Sequence, residues 1–198
     1  MDNNAVRQGY NQIAEAYLKN RDQFKNQKYL DKLIALLPKG STILDIGCGA
    51  GMPIDLYLVQ HGYKIIGIDI SEKQIELAKA NVPQGDFSVR DMSTLKKREF
   101  TVDAVISFYA IFHISREQHI ALFGKIKSFL SPGGLLLVTM GSSDWVGSED
   151  FYGTEMSWSH YDATMNKQIV ESAGFSILES EIDTSGGEKH LVILAKEK

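Results

Sequence analysis

The sequence predicts an α/β fold: a Rossmann-like three-layer sandwich around a mostly parallel seven-stranded sheet with an antiparallel C-terminal hairpin. Three observations predict it. Short apolar, β-branched runs alternate with helix-period stretches through most of the 198 residues. The first and fifth runs, TILDI and LLLVTM, are nearly continuous in apolar residues, as strands covered on both faces are. The last two runs are joined only by Thr184-Ser185-Gly186-Gly187, too short for a crossover helix, so they pair as a hairpin.

In chain order, residues 3–37 predict two helices before the first strand. Strands follow at Thr42–Ile46, Lys64–Asp69, Asp86–Arg90, Val102–Phe108, Leu135–Met140, Ser176–Glu181 and His190–Ala195. Amphipathic helices are expected at Met52–His61, Glu72–Asn81, Arg116–Leu130 and Asp162–Ala173. Ser71 is a natural N-cap, with Gln74 placed to complete a capping box, and Ser115 with Gln118 repeats the pattern. Pro132-Gly133-Gly134 is expected to end the long helix, and Ala173-Gly174 to close the last one. Residues 141–160 break the alternation as a Gly/Ser/aromatic loop of about 20 residues, a length that in a compact domain is usually functional.

Composition narrows the class. The formal net charge is −4 and the hydrophobic content 43%, ordinary for a globular protein and without the basic field that phosphate backbones attract. The triplet Lys96-Lys97-Arg98 reads as a solvated loop. One cysteine, Cys48, excludes an internal disulfide and suits a reducing compartment. No secretory signal and no apolar run of about 18 residues is visible, so a cytoplasmic protein with no membrane contact is expected. No His/Cys/Asp cluster has metal-ligand spacing, so no metal is expected.

The densest chemical signal is LDIGCGAG, Leu44–Gly51. A buried strand ends and three alternate glycines, Gly47, Gly49 and Gly51, open a helix; glycine suits close backbone approach to a ligand and positive φ. A dinucleotide site needs G-x-G-x-x-G over a pyrophosphate, whereas this loop is G-x-G-x-G, which disfavours a dehydrogenase. Asp45 beside it would repel a pyrophosphate but favours the ammonium group of an amino acid.

LDIGCGAG resembles motif I of the class I S-adenosylmethionine (SAM) dependent methyltransferases, small-molecule type (methyltransferase-domain 11/25-like), and the element order over residues 41–197 is similar to theirs. The resemblance implies SAM as cofactor, with S-adenosylhomocysteine as product. It places Asp69, ending IIGIDIS, on the ribose hydroxyls with Ile70 against the adenine. It puts Asp91 of FSVRDMSTL on the adenine amino group with Met92 beside the ring, and Phe108 near the methionine part. In YNQIAEAY and its continuation, Tyr10, Ala14, Tyr17 and Arg21 share one helical face, and Tyr10, Tyr17 and Arg21 are candidates to close over the cofactor.

The same resemblance implies one domain. Residues 1–40 form a helical cap, 41–140 the SAM-binding core, 141–161 a substrate lid, and 162–198 the C-terminal helix and hairpin. The expected function is methyl transfer to a small molecule, acting as a monomer or homodimer and without nucleic acid. Alternatives are an RNA or protein methyltransferase, or a SAM-binding regulatory module without activity. The [DNS]-P-P-[YFW] motif of base-amine methyltransferases is absent: the corresponding place reads Ser107-Phe108-Tyr109-Ala110. Tyr109, Trp145, Met156 and Trp158 are candidate acceptor-binding residues, and His113 and His160 candidate general bases, since histidine titrates near neutrality. Acids without lysine or arginine in 141–160 suggest a cationic or amphipathic acceptor.

Overall fold

The computed structural model describes residues 2–20 and 25–198. Helices α1 (Asn3–Lys19) and α2 (Gln27–Leu36) precede β1 (Thr42–Ile46), α3 (Ile54–Gln60), β2 (Lys64–Asp69), α4 (Glu72–Asn81), β3 (Asp86–Val89) and β4 (Val102–Ser107). Then come α5 (His119–Lys127), β5 (Leu130–Gly141), β6 (Trp145–Phe151), β7 (Thr154–His160), α6 (Ala163–Ser172), β8 (Phe175–Asp183) and β9 (His190–Glu197). The main sheet runs β3-β2-β1-β4-β5-β9-β8. Strands β1 to β5 are parallel, and β9 lies antiparallel to both β5 and β8. The predicted fold class is the one observed.

Period-2 geometry explains why both faces are apolar. In β5, Leu135 and Leu137 point to one face while Leu136, Val138 and Met140 point to the other; in β9, Val192 and Leu194 alternate with Leu191, Ile193 and Ala195 in the same way. One face packs on α2, α3 and α4 through Leu33, Leu58 and Ala78, the other on α5 and α6 through Leu122, Phe123 and Val170. Each of the leucine, phenylalanine and valine side chains among them, fully buried, contributes about 1.5–3 kcal/mol relative to an extended unfolded chain.

Four local expectations are corrected. The stretch 141–160 is not a loop: β5 continues to Gly141, and β6 and β7 form a separate antiparallel hairpin from Trp145↔His160 to Phe151↔Thr154. Its turn, Tyr152-Gly153, has positive φ at both residues (55° and 79°), the backbone of a tight hairpin turn. The helix expected over Arg116–Leu130 is a 3₁₀ turn, Arg116–Gln118, followed by α5, which stops at Lys127. Pro132-Gly133-Gly134 therefore does not end it; the three residues lie inside β5, where pairing with β4 slips between Val102↔Leu130 and Ala104↔Leu135. Finally, Ser71 caps α4 by accepting from Gln74 N at 3.1 Å, but no capping box forms, because Ser71 N already donates to Asp69 Oδ1 at 2.9 Å. At Ser115 the hydroxyl goes to Glu117, and only the backbone closes the turn.

Helix α1 lies over the carboxyl ends of the parallel strands, packed on α4 and β7. Gly9 permits this closeness, since a Cβ there would come within 2.8 Å of Met156 Sδ. Among the described residues no helix is long and apolar enough to cross a membrane.

Candidate functional site

Where β1 ends, the chain turns under the end of β2: Gly47 N and Cys48 N donate to Ile68 O at 2.7 and 3.0 Å. Gly47, Gly49 and Gly51 have φ of 80°, 55° and 72°, a left-handed region that glycine alone enters without strain. A Cβ on Gly47 would sit 2.2 Å from the Ala110 Cβ, and one on Gly51 would crowd Val82. Gly47 and Gly49 line a cleft of about 920 Å³ with open solvent included, whereas Gly51 serves packing between the loop and α4.

This cleft collects most residues the sequence singled out. Tyr10, Tyr17, Asp45, Gly47, Gly49, Asp69, Ile70, Asp91, Met92 and Phe108 all line it, together with Tyr109 and His113. Arg21 lies outside the described residues. Asp69 accepts Gly49 N at Oδ2 (3.0 Å) and Ser71 N at Oδ1 (2.9 Å), so the loop and the start of α4 fix its orientation. Burial pushes its pKa up to about 6, with backbone donors opposing. Asp91 caps the turn Met92–Thr94 by accepting Ser93 N at 2.8 Å, and also accepts Asn3 Nδ2 from α1 at 2.8 Å.

Sequence reasoning missed Gln74. Excluded from the capping box, its side chain lines the cleft, 1% exposed, and among the described residues neither Oε1 nor Nε2 has a hydrogen-bond partner. A buried amide left this way costs about 1–3 kcal/mol unless a ligand completes it. The signal was available: Gln74 stands one turn into α4, directly after the acid that ends β2.

Beside the first cleft opens a second cavity, of about 1320 Å³ with open solvent included. Tyr10, Tyr17, Tyr109 and His113 belong to both and form the shared wall. The far wall is the hairpin, whose one face presents Trp145, Glu149, Phe151, Trp158 and His160 by alternation across the β6–β7 register. Of the acceptor candidates, Tyr109, Trp145 and Trp158 line this cavity. Met156 does not; it is 1% exposed and packs under α1. Phe112, Asp150, Glu188, Lys189 and His190 also line it. Glu188 has its pKa raised by burial and then by the charge of Glu149.

The two histidines differ. Nδ1 of His113 donates to Ser157 O at 2.9 Å, which leaves Nε2 to accept the Tyr10 hydroxyl at 2.8 Å. Burial lowers its pKa to about 4, so the ring is neutral. Both ring nitrogens of His113 are thus engaged within the protein, Nε2 by Tyr10 and Nδ1 by the Ser157 carbonyl. His160 donates from Nδ1 to Ser143 O at 2.6 Å, keeping the basic lone pair on Nε2, and it lines the second cavity. Gly141 makes room for that ring, since a Cβ there would lie 2.0 Å from Nδ1. Among the described residues no three His, Cys, Asp or Glu side chains form a metal cluster.

Fold and cleft together define a Rossmann-like domain with an open cleft at the carboxyl ends of its parallel strands. Residues 43–134 match the family described as methyltransferase domain. Phosphoethanolamine N-methyltransferase 1 of Triticum aestivum is 30% identical over 171 residues, 82% of this chain and 33% of the relative. An uncharacterized methyltransferase of Synechocystis is 27% identical over 77% of this chain and 74% of its own length. The chain thus spans about a third of the length of the wheat relative. The fold is shared with magnesium protoporphyrin IX methyltransferase from Synechocystis with bound SAH (TM-score 0.76, 21% identity, 100% of each chain covered). It is shared too with 1,6-didemethyltoxoflavin-N1-methyltransferase from Burkholderia thailandensis (TM-score 0.77, 16% identity, 98% and 88% covered). The chain thus carries a segment similar to the methyltransferase domain and shares the fold of these SAM-dependent methyltransferases.

Proposed function

We propose that this chain transfers the methyl group of SAM to a small, cationic or amphipathic acceptor held in the second cavity. The residues present fit SAM. The left-handed glycine loop leaves space where side chains would stand, and Gln74 offers an unpartnered donor and acceptor to a nucleoside. Asp69 has two oxygens whose remaining lone pairs suit vicinal hydroxyls, and Asp91 with Met92 suits a purine. Asp45 at the loop suits an ammonium group.

When bound, SAM supplies a methyl group already activated on a sulfonium, so the protein's task is in-line positioning of a nucleophile with a free lone pair. Tyr10 and His113 stand between the two cavities, with the hydroxyl proton held on His113 Nε2. The Tyr10 oxygen therefore presents acceptor character to whatever meets it there. Where the acceptor arrives protonated, His160 Nε2 is positioned within the second cavity to remove that proton.

The observation that carries the reading is the shared wall: one set of side chains lines both the glycine-loop cleft and an aromatic cavity. In that cavity Glu149, Asp150 and Glu188 outnumber Lys189, and Trp145 and Trp158 offer ring faces to a cation. The wheat relative, by name an N-methyltransferase of an amine, agrees with this class of acceptor. The two tryptophans are the chain's whole complement. Titration of candidate amines into the SAH-loaded protein is expected to change intrinsic fluorescence, and SAM turnover on those amines to release SAH. Acceptors that are turned over but leave the fluorescence of wild type and Trp158→Phe alike would place the acceptor elsewhere.

A further inference from the structure

Asp55 stands in the first turn of α3, behind the glycine loop, and is absent from the cleft lining. It is 0% exposed, and neither oxygen has a hydrogen-bond donor among the described residues. An ionised carboxylate in that position would be a bare buried charge, which proteins avoid by holding the group neutral. A neutral carboxyl carries one O–H, and that hydrogen needs an acceptor.

Its side-chain hydrogen-bonding neighbour is Asp45, itself 2% exposed but reaching the cleft. Burial first, then the charge and hydrogen bonding of Asp45, hold the Asp55 carboxyl protonated far above the usual carboxylate range. Cys48, between them in sequence, is raised in turn by burial and by the charges of Asp55, Asp69 and Asp45. The mechanism proposed above does not use Asp55.

We infer that Asp55 and Asp45 share one proton, and that the O–H of Asp55 fixes the Asp45 carboxylate so that it faces the ammonium end of the ligand. Asp55 is thus a positioning residue, acting through Asp45. One negative charge, not two, meets the cationic tail. The inference rests on the proposed cofactor site for its purpose, but the shared proton is a property of the free protein.

Two measurements test it. Infrared difference spectroscopy of the free full-length chain at pH 7.5, wild type minus Asp55→Asn, should show the carbonyl band of a protonated carboxyl that the variant lacks. Calorimetry then compares SAH with 5′-methylthioadenosine, which has no amino-acid tail. Asp55→Asn keeps an N–H donor for Asp45 and should bind SAH within about threefold of wild type. Asp55→Ala removes the donor and should bind SAH about tenfold more weakly, with methylthioadenosine unchanged.

Absence of the protonated band overturns the inference, as does equal weakening of both ligands by Asp55→Ala, or a loss in Asp55→Asn as large as in Asp55→Ala. If Asp55→Ala does not fold, the band and the Asp55→Asn affinity decide. A wild-type protein that shows the band yet binds neither ligand refutes the SAM site and leaves the shared proton standing.

Discussion

Lowering the pH from 7.5 to 5 should weaken SAH binding about tenfold, and Asp69 is the reason. Each of its oxygens already accepts one backbone N–H, from Gly49 and Ser71, so two ligand hydroxyls need the remaining lone pairs of an ionised group. Its pKa is pushed up to about 6 by burial. The ionised fraction is then about 0.97 at pH 7.5 and about 0.09 at pH 5, and an affinity that requires the carboxylate falls by that ratio. Asp69→Asn should cost roughly 10- to 100-fold at pH 7.5, because the amide cannot accept on both sides and one buried N–H loses its partner, at about 1–3 kcal/mol. It should also flatten the pH dependence. Isothermal titration calorimetry with SAH at pH 5, 6, 7 and 7.5 on both proteins is the assay. A wild-type affinity constant across that range, or an unchanged slope in Asp69→Asn, refutes the assignment.

Other perturbations follow from the same geometry. Gly47→Ala should lose about 2–4 kcal/mol of stability, from the left-handed backbone and from the Cβ placed 2.2 Å from that of Ala110. Adding Ala110→Gly should recover the steric part alone, and a double-mutant cycle by urea denaturation that shows no coupling contradicts this. Gln74→Leu should leave the melting temperature equal or higher while SAH binding weakens about tenfold, since the amide is orphaned only when the cleft holds no ligand; unchanged affinity contradicts its role. His119, 0% exposed, has its pKa lowered to about 4 by burial. Its depressed folded pKa makes a stability contribution that is full above about pH 6.5 and is lost as pH falls toward 4, about 2 kcal/mol of it by pH 5. His119→Leu should shrink the stability difference between pH 7.5 and 5 by about that amount, and an undiminished difference contradicts it.

The main sheet was legible because its strands obey strong rules. TILDI and LLLVTM are apolar on both faces, and the Gly174 and Thr184–Gly187 breaks fall where elements end. The hairpin β6–β7 was not, because its site-facing row reads Trp145, Gly147, Glu149, Phe151 on one strand and Thr154, Met156, Trp158, His160 on the other. Polar and small residues there blur the period-2 signal, and Tyr152-Gly153 lacks the usual Asn-Gly or Asp-Gly turn chemistry. The Pro132-Gly133-Gly134 triplet misled for a similar reason, since a bulge inside a strand carries the same residues as a helix stop.

In the site, Asp45, Asp69 and Asp91 stand at or just beyond strand ends, where motif order and the family resemblance pointed to them, and all three line the cleft. Side chains whose role depends on packing between distant elements were not readable in that way. Asn3 reaches Asp91 across 88 residues, and Tyr10 meets His113 across 103. Gln74 read as a capping-box partner, and only the backbone of Ser71, already donating to Asp69, excludes that.

The account stands most directly on where an adenosyl ligand settles. A crystal structure of the full chain with S-adenosylhomocysteine should show the ribose on Asp69, the purine beside Met92 and Asp91, and the amino-acid tail at the Gly47–Gly49 turn facing Asp45. Density for that ligand in the aromatic cavity instead, or none in the glycine-lined cleft at saturating concentration, would contradict it.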